Sequence, residues 1–232
     1  SEIVVCDTET TGFEPAVHSL LEVAVCGPDF GWAQYVEFEG EIPADARATH
    51  HISPDDVRPG ARSCLPRQEV VETLTDEIGG RVVAFHNAKF DLGFLPELAN
   101  HDVVCTWKCA KHLYPDAPNH KNQTLRYWLG VEPRAELVAG LHPHRALYDT
   151  AVTLAIVDRM LRDAGSIEEL LRLTKAPVLL TTVGFGKHKG RTWEEVAREE
   201  PGYLAWMRRS GNWNDDADVM HTLDVITGRK AA

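Results

Sequence analysis

The chain contains no run of eighteen or so apolar residues and no basic-then-apolar stretch near its start, so neither a membrane-spanning helix nor a secretory leader is expected. Cysteine is scarce: five in 232 residues, an odd number without the compact even framework of a disulfide-stapled domain. Reduced thiols and a soluble, cytoplasmic protein are the expectation. Internal repeats and low-complexity tracts are missing as well. Positive charge is in deficit: 24 Lys and Arg stand against 35 Asp and Glu, and the formal net charge of −11 disfavours a protein that grips nucleic acid across a broad surface. The deficit is uneven, because residues 175–232 carry nine Lys and Arg against eight Asp and Glu, a balance of +1 that leaves −12 on the remainder.

What is present is an ordinary globular composition, 44% hydrophobic, at a length that suits one substantial domain and a small appendage. Residues 3–6, 20–26 and 32–38 read as three strands of an antiparallel meander, with Gly27-Pro28-Asp29 as a turn. A helix over 67–78 stops at Gly79-Gly80. Alternation continues with a strand at 82–85, a helix around Asp91, a strand at 103–106, and helices near 107–113, 124–129 and 146–162. The order predicts an α/β fold of ribonuclease H type, a mixed five-stranded sheet with flanking helices. Ser166-Ile167-Glu168-Glu169 resembles a capping box, and Pro177 lies in the connection beyond it. The division expected is a first domain over 1–174 and a small C-terminal module over 178–232. That module reads as a brief strand at 178–185, a basic turn, and helices near 193–198, 202–210 and 216–226.

Three acidic clusters sit where apolar side chains are expected. Asp7 and Glu9 follow the apolar run Ile3-Val4-Val5-Cys6 and, two apart on a strand, share one face. Asp91 shares a helical stripe with Phe94, Leu95 and Leu98; Asp149 shares one with Ala146, Thr153, Ile156 and Met160. An unpaired buried carboxylate costs several kcal/mol, so four acids converging from distant segments point to a divalent-metal site. All are oxygen donors, the chemistry of Mg²⁺ or Mn²⁺ rather than zinc. His144 lies five positions before Asp149, which on one helix would place them roughly 140° apart. The two meet only if His144 precedes the helix start, as Pro143 allows. An imidazole there suits a general base.

The segments Asp7-Thr8-Glu9-Thr10-Thr11-Gly12, His86 to Asp91, and His144, Ala146, Asp149 and Thr153 resemble, in order, the three motifs of the DEDDh (DnaQ-type) family of 3′–5′ exonucleases. The stretch from Leu141 to Asp149, with Phe185-Gly186-Lys187-His188-Lys189-Gly190 and Pro201-Gly202-Tyr203-Leu204-Ala205-Trp206, resembles the exonuclease X-like branch. The resemblance implies 3′–5′ hydrolysis of DNA ends, single- or double-stranded, in a repair setting, with mononucleotides released. It further implies two Mg²⁺ ions, with Mn²⁺ able to substitute. Asp7, Glu9 and Asp149 would hold the ion that binds the attacking water, Asp7 would bridge to a second ion reached by Asp91, and His144 would take the water's proton. Glu9 and the backbone near Thr10 and Thr11 would register the 3′-hydroxyl, and His50 and Ile52 would pack on the terminal nucleotide.

Other positions carry two readings. Phe13 is either a base-stacking ring or a core residue. His86 and Asn87 either shape the loop before the Asp91 helix or touch substrate. Lys187, Lys189 and Arg191 form either a solvated turn or a phosphate contact. His101, Cys105, Cys109 and His112 lack the tight knuckle spacing of structural zinc, so buried thiols are expected there. Two other functions fit the same scaffold: an exoribonuclease, which these motifs do not separate from a DNA enzyme, and an inert 3′-end-binding module. The complete acid set with His144 argues against the second.

Overall fold

A computed structural model describes residues 2–228. The chain divides into two compact units, residues 1–174 and 175–232.

The first unit is built on strands β1 (Ile3–Thr10), β2 (Leu20–Cys26), β3 (Gly31–Val36), β4 (Cys64–Leu65), β5 (Val82–Phe85) and β6 (Val103–Cys105). They form one sheet in the order β4-β3-β2-β1-β5-β6. The β1–β2–β3 meander is antiparallel as expected, whereas β5 joins β1, β6 joins β5 and β4 joins β3 in parallel. The sheet therefore has six strands rather than five. The addition is a two-residue edge strand between Ser63 and Pro66, too short to show any alternation and ended by a residue that cannot donate to a ladder.

Helices α1 (Ala44–His50), α2 (Pro54–Val57), α3 (Arg67–Ile78), α4 (Ala88–Phe94), α5 (Thr106–Leu113), α6 (Asn122–Leu129), α7 (Ala135–Val138), α8 (Ala146–Ala164) and α9 (Ile167–Lys175) flank the sheet. Strand parity decides which face each residue serves. Ile3 and Val5 enter the core made with α5, α6, α8 and α9. Val4 and Cys6 enter the opposite core, made with α3 and α4. These four are 0–1% exposed. Each fully buried aliphatic contributes roughly 1.5–3 kcal/mol, so β1 is firmly anchored below the point where its acids begin. Asp7 and Glu9 continue the parity of Ile3 and Val5 and so face α8. The α4 stripe is shorter than the spacing implied. Pro96 ends the α-helix at Phe94, and a 3₁₀ turn over Pro96–Asn100 carries the buried Leu98.

The second unit holds α10 (Trp193–Glu199), α11 (Pro201–Ser210) and α12 (Ala217–Ile226). Its own core contains Val183, Trp193, Val196, Leu204, Met207, Val219 and Leu223. Thr192 caps α10 reciprocally: its hydroxyl accepts the Glu195 N–H, and the Glu195 carboxylate accepts the Thr192 N–H, both at 3.1 Å. The strand expected over 178–185 does not form. Val178 and Leu180 instead donate their N–H groups to Asp218 Oδ1 and Thr222 Oγ1 of α12, each at 2.9 Å, leaving one bridge between Thr182 and Thr192. Helix side chains satisfy the backbone that a neighbouring strand would otherwise pair. Among the described residues no helix is long and apolar enough to cross a membrane.

Candidate active site

At the C-terminal half of β1, carboxylate oxygens of Asp7, Glu9 and Asp149 lie within 4.8 Å of one another. Asp149 reaches them from the first turn of α8, which packs across β1 and β2. Three acids this close, all oxygen donors, have the composition of a site for a hard divalent cation. The fourth acid stands apart. Asp91, 2% exposed on α4, accepts a hydrogen bond from Thr8 Oγ1 at 2.8 Å, and Thr8 has the opposite strand parity to Asp7 and Glu9. The acids thus divide into a triad facing α8 and a single carboxylate reaching β1 from α4.

Burial pushes the Asp7 carboxyl well above the usual range, and the neighbouring charges of Asp91, Glu9, Asp149 and Glu22 push it the same way. Glu9 is raised to about 9 by burial, with Asp149 and Glu22 adding to the effect and Arg145 opposing it. Asp91 is raised to about 7 by burial, against the Thr8 hydrogen bond. Asp149 is raised by burial too, against the His144 N–H and the Gln123 amide. A protonated or repelling cluster is what four such acids become without a cation, and a bound cation would reverse each shift.

This has a consequence for stability. Unfolded carboxyls lose their protons near pH 4, while the fold holds them to about 7 at Asp91 and about 9 at Glu9. Between those limits the folded chain binds more protons than the unfolded one, so stability falls as pH rises. From pH 7 to pH 8, above the ordinary histidine range and below that of thiols, the melting temperature in EDTA is expected to drop by several degrees, since roughly 1 kcal/mol moves it about 2–4 °C at this size. Mg²⁺ or Mn²⁺ should restore more at pH 8 than at pH 7. A metal-free melting temperature that is flat or rising over this interval would contradict the shifts.

His144 has φ of 65°, a left-handed backbone immediately before the α8 N-cap Arg145. Its ring is exposed, and its N–H donates to Asp149 Oδ2 at 2.9 Å, so the base candidate and a ligand candidate are tied together. Thr10 Oγ1 donates to the Gly12 carbonyl at 2.6 Å, and Thr11 Oγ1 accepts the Ser19 N–H at 2.9 Å, so both hydroxyls shape the 10–19 turn. A side chain at Gly12 would meet the His18 ring, 2.3 Å from an added Cβ, so that ring would have to move. Phe13 is 84% exposed, edge-on to Phe90 at 6.4 Å, and is not a core residue.

His50 is buried, its Nδ1 accepting the Ile52 N–H at 3.0 Å, and burial lowers its pKa. Ile52 packs with Leu21, Ile42 and Val57. His86 uses both ring nitrogens internally, toward Thr106 Oγ1 and the His120 carbonyl, each at 2.9 Å, and burial drops its pKa to about 4. Asn87 is exposed in a left-handed conformation (φ 76°) at the entry to α4. In the second unit Lys187 pairs with Glu200 at 2.6 Å and Arg191 pairs with Glu199, while Lys189 is exposed. Cys105 and Cys109 are buried free thiols, and the Cys109 Sγ faces the Leu170 carbonyl at 3.3 Å.

Sequence reasoning missed several partners. Gln123 Nε2 donates to Asp149 Oδ1 at 3.1 Å, and Asn122 Nδ2 donates to Thr153 Oγ1 at 2.6 Å, so α6 braces the Asp149 turn. Glu22 and Arg145 form a salt bridge at 2.7 Å beside Glu9. Glu22 had a visible signal, a lone charge inside the fully buried strand Leu20–Cys26. Thr8, Gln123 and Asn122 had none.

Residues 4–157 match the family described as Exonuclease, and residues 184–209 match that described as Exodeoxyribonuclease X-like C-terminal. The chain is 29% identical over 206 residues to Exodeoxyribonuclease 10 of Escherichia coli K12, covering 88% of this chain and 89% of that one. Among solved structures it is similar to Exonuclease X in complex with 5′ overhanging duplex DNA, with a TM-score of 0.62 at 27% identity over 74% of this chain and 99% of the other. It also shares its fold with E. coli Exonuclease I in complex with a dT13 oligonucleotide, with a TM-score of 0.55 at 15% identity over 70% and 41% of the two chains.

Proposed function

The chain belongs to the exonuclease family, and from that premise we propose that it is a metal-dependent 3′–5′ exodeoxyribonuclease that releases mononucleotides from DNA 3′ ends. The observation that carries this reading is the convergence of Asp7, Glu9 and Asp149 within 4.8 Å, with Asp91 acting on Asp7 from α4. The DNA substrate is supported by the similarity to Exodeoxyribonuclease 10 and to the DNA-bound Exonuclease X.

Asp7, Glu9 and Asp149 would hold one Mg²⁺, with Asp7 and Asp91 holding a second; Mn²⁺ would fit the same oxygen donors. When bound, such ions activate water and neutralise charge on the phosphate and on the leaving oxygen. The chain's own residues do the rest. Water oxygen bonds to the terminal phosphorus as the bond from phosphorus to the 3′-oxygen of the preceding nucleotide breaks, and His144 takes the water's proton. Because the His144 N–H already rests on Asp149, base and carboxylate are presented together. Glu9 and the Thr10–Thr11 backbone would read a free 3′-hydroxyl. Phe13, exposed on the adjoining turn, can stack on a base, a contact worth about 1–3 kcal/mol.

Degradation of 5′-labelled single-stranded DNA, duplex DNA and RNA, run side by side in Mg²⁺, tests this reading. DNA should shorten one nucleotide at a time from the 3′ end, and a 3′-phosphate should block it. Rapid cutting of circular single strands, or RNA degraded far faster than DNA, would overturn it.

The C-terminal unit is proposed to assist DNA engagement through its basic turn. Of the three cations there, Lys187 and Arg191 are held by Glu200 and Glu199, which leaves Lys189 the best placed for a phosphate. Lys189→Ala should reduce the salt slope of DNA binding by about 0.7–0.9, the contribution of a single phosphate contact. An unaltered slope in titrations at several salt concentrations would remove Lys189 from the interface.

A further inference from the structure

Sheet register sets two acids against each other. Glu22 on β2 lies directly opposite Glu9 on β1, and Tyr35 on β3 lies directly opposite Glu22. Ionising both carboxyls in that relation would destabilise the sheet, and Glu22 is only 3% exposed. Compensation comes from Arg145. Its Nε and Nη2 donate to the two Glu22 carboxylate oxygens at 3.1 and 2.7 Å, and Nη2 also donates to the Tyr35 hydroxyl at 2.6 Å. The Ala146 N–H, the first of α8, donates to Glu22 as well, at 3.1 Å. Helix α8 has no side-chain cap from its own N-cap residue, so a carboxylate on β2 serves that end instead.

One residue earlier the chain is held from the other side. His144, in its left-handed conformation, gives its N–H to Asp149. The entry to α8 is therefore pinned at three consecutive residues, Arg145 and Ala146 to the sheet and His144 to the acid triad. A paired guanidinium and carboxylate is directional in a way that a point charge is not.

We propose that Glu22 and Arg145 are positioning residues for hydrolysis: a clamp that fixes the start of α8 so that His144 and Asp149 meet Asp7 and Glu9 in register. The inference rests on the reading of His144 as base and Asp149 as metal ligand. It differs from a purely structural role, in which the pair only neutralises a buried acid.

Glu22→Gln, Arg145→Lys and the double variant Glu22→Leu/Arg145→Met separate these roles. Removing both charges of a buried pair together is often neutral or stabilising, so the double variant should recover the wild-type melting temperature. The clamp predicts that kcat nevertheless falls about 10–100-fold in all three, the effect of a small misplacement, with KM for a labelled single strand little changed. Amide hydrogen exchange over residues 144–149 should quicken in each. Recovery of kcat together with melting temperature in the double variant would overturn the proposal, as would unaltered exchange at 144–149 in the single variants. If the wild-type protein hydrolyses nothing in any divalent ion, the functional reading fails instead, and exchange at 144–149 still decides the clamp.

Discussion

Asp7→Asn is expected to lose nucleotide release by at least about 10³-fold, more than 4 kcal/mol of transition-state stabilisation, while melting higher than the wild type in EDTA at pH 8. The two effects have one cause. Asp7 sits at the meeting point of the cluster: burial raises its carboxyl, and Asp91, Glu9, Asp149 and Glu22 all raise it further. Replacing it by an amide keeps the shape and removes the charge that the others repel. Removing a member of a crowded, half-buried acid cluster relieves the fold, whereas under the proposed mechanism a cation would lose the ligand shared between the triad and Asp91. Asp149→Ala should lose activity to a similar degree. Its stability gain should be smaller, since it also strands the His144 N–H and the Gln123 amide. An Asp7→Asn protein that hydrolyses DNA at the wild-type rate, or that melts lower than wild type without metal, would contradict this account.

His144→Asn should lower kcat by about 10²–10⁴-fold, the usual contribution of a positioned general base, with divalent-metal affinity close to wild type. Asparagine is the informative replacement because residue 144 has φ of 65°, a conformation asparagine tolerates well among non-glycine residues. The backbone N–H to Asp149 can then persist while the imidazole is gone. A variant that keeps the wild-type rate would remove His144 from the chemistry. Calorimetric titration with Mn²⁺, run beside the kinetics, distinguishes a lost base from a lost metal.

The acids were legible because each broke a local rule. Asp7 and Glu9 share strand parity with buried Ile3 and Val5, and Asp149 shares a stripe with buried Ala146, Thr153, Ile156 and Met160. Their partition was not legible. Asp91 lies apart from the triad because its Oδ1 is bound to Thr8, whose side chain leaves the opposite face of β1, a pairing across 83 positions that no spacing reveals. The Glu22–Arg145 contact spans 123 positions and depends on three strands being in register with the start of α8. Local pattern also failed where side chains replaced a ladder. Val178, Leu179 and Leu180 form an apolar run like a strand, yet Asp218 and Thr222 take the N–H groups of Val178 and Leu180. Edge strand Cys64–Leu65 is too short to have a period at all.

The most direct test of the central claim, that the four acids form a divalent-metal site driving phosphodiester hydrolysis, is product release from 5′-labelled single-stranded DNA by protein stripped with EDTA, before and after Mg²⁺ is added back. The account predicts no shortening without metal and stepwise shortening with release of mononucleotides once Mg²⁺ is restored, with Asp7→Asn inactive in both conditions. Undiminished hydrolysis in EDTA, or an Asp7→Asn protein rescued fully by Mg²⁺, would contradict it.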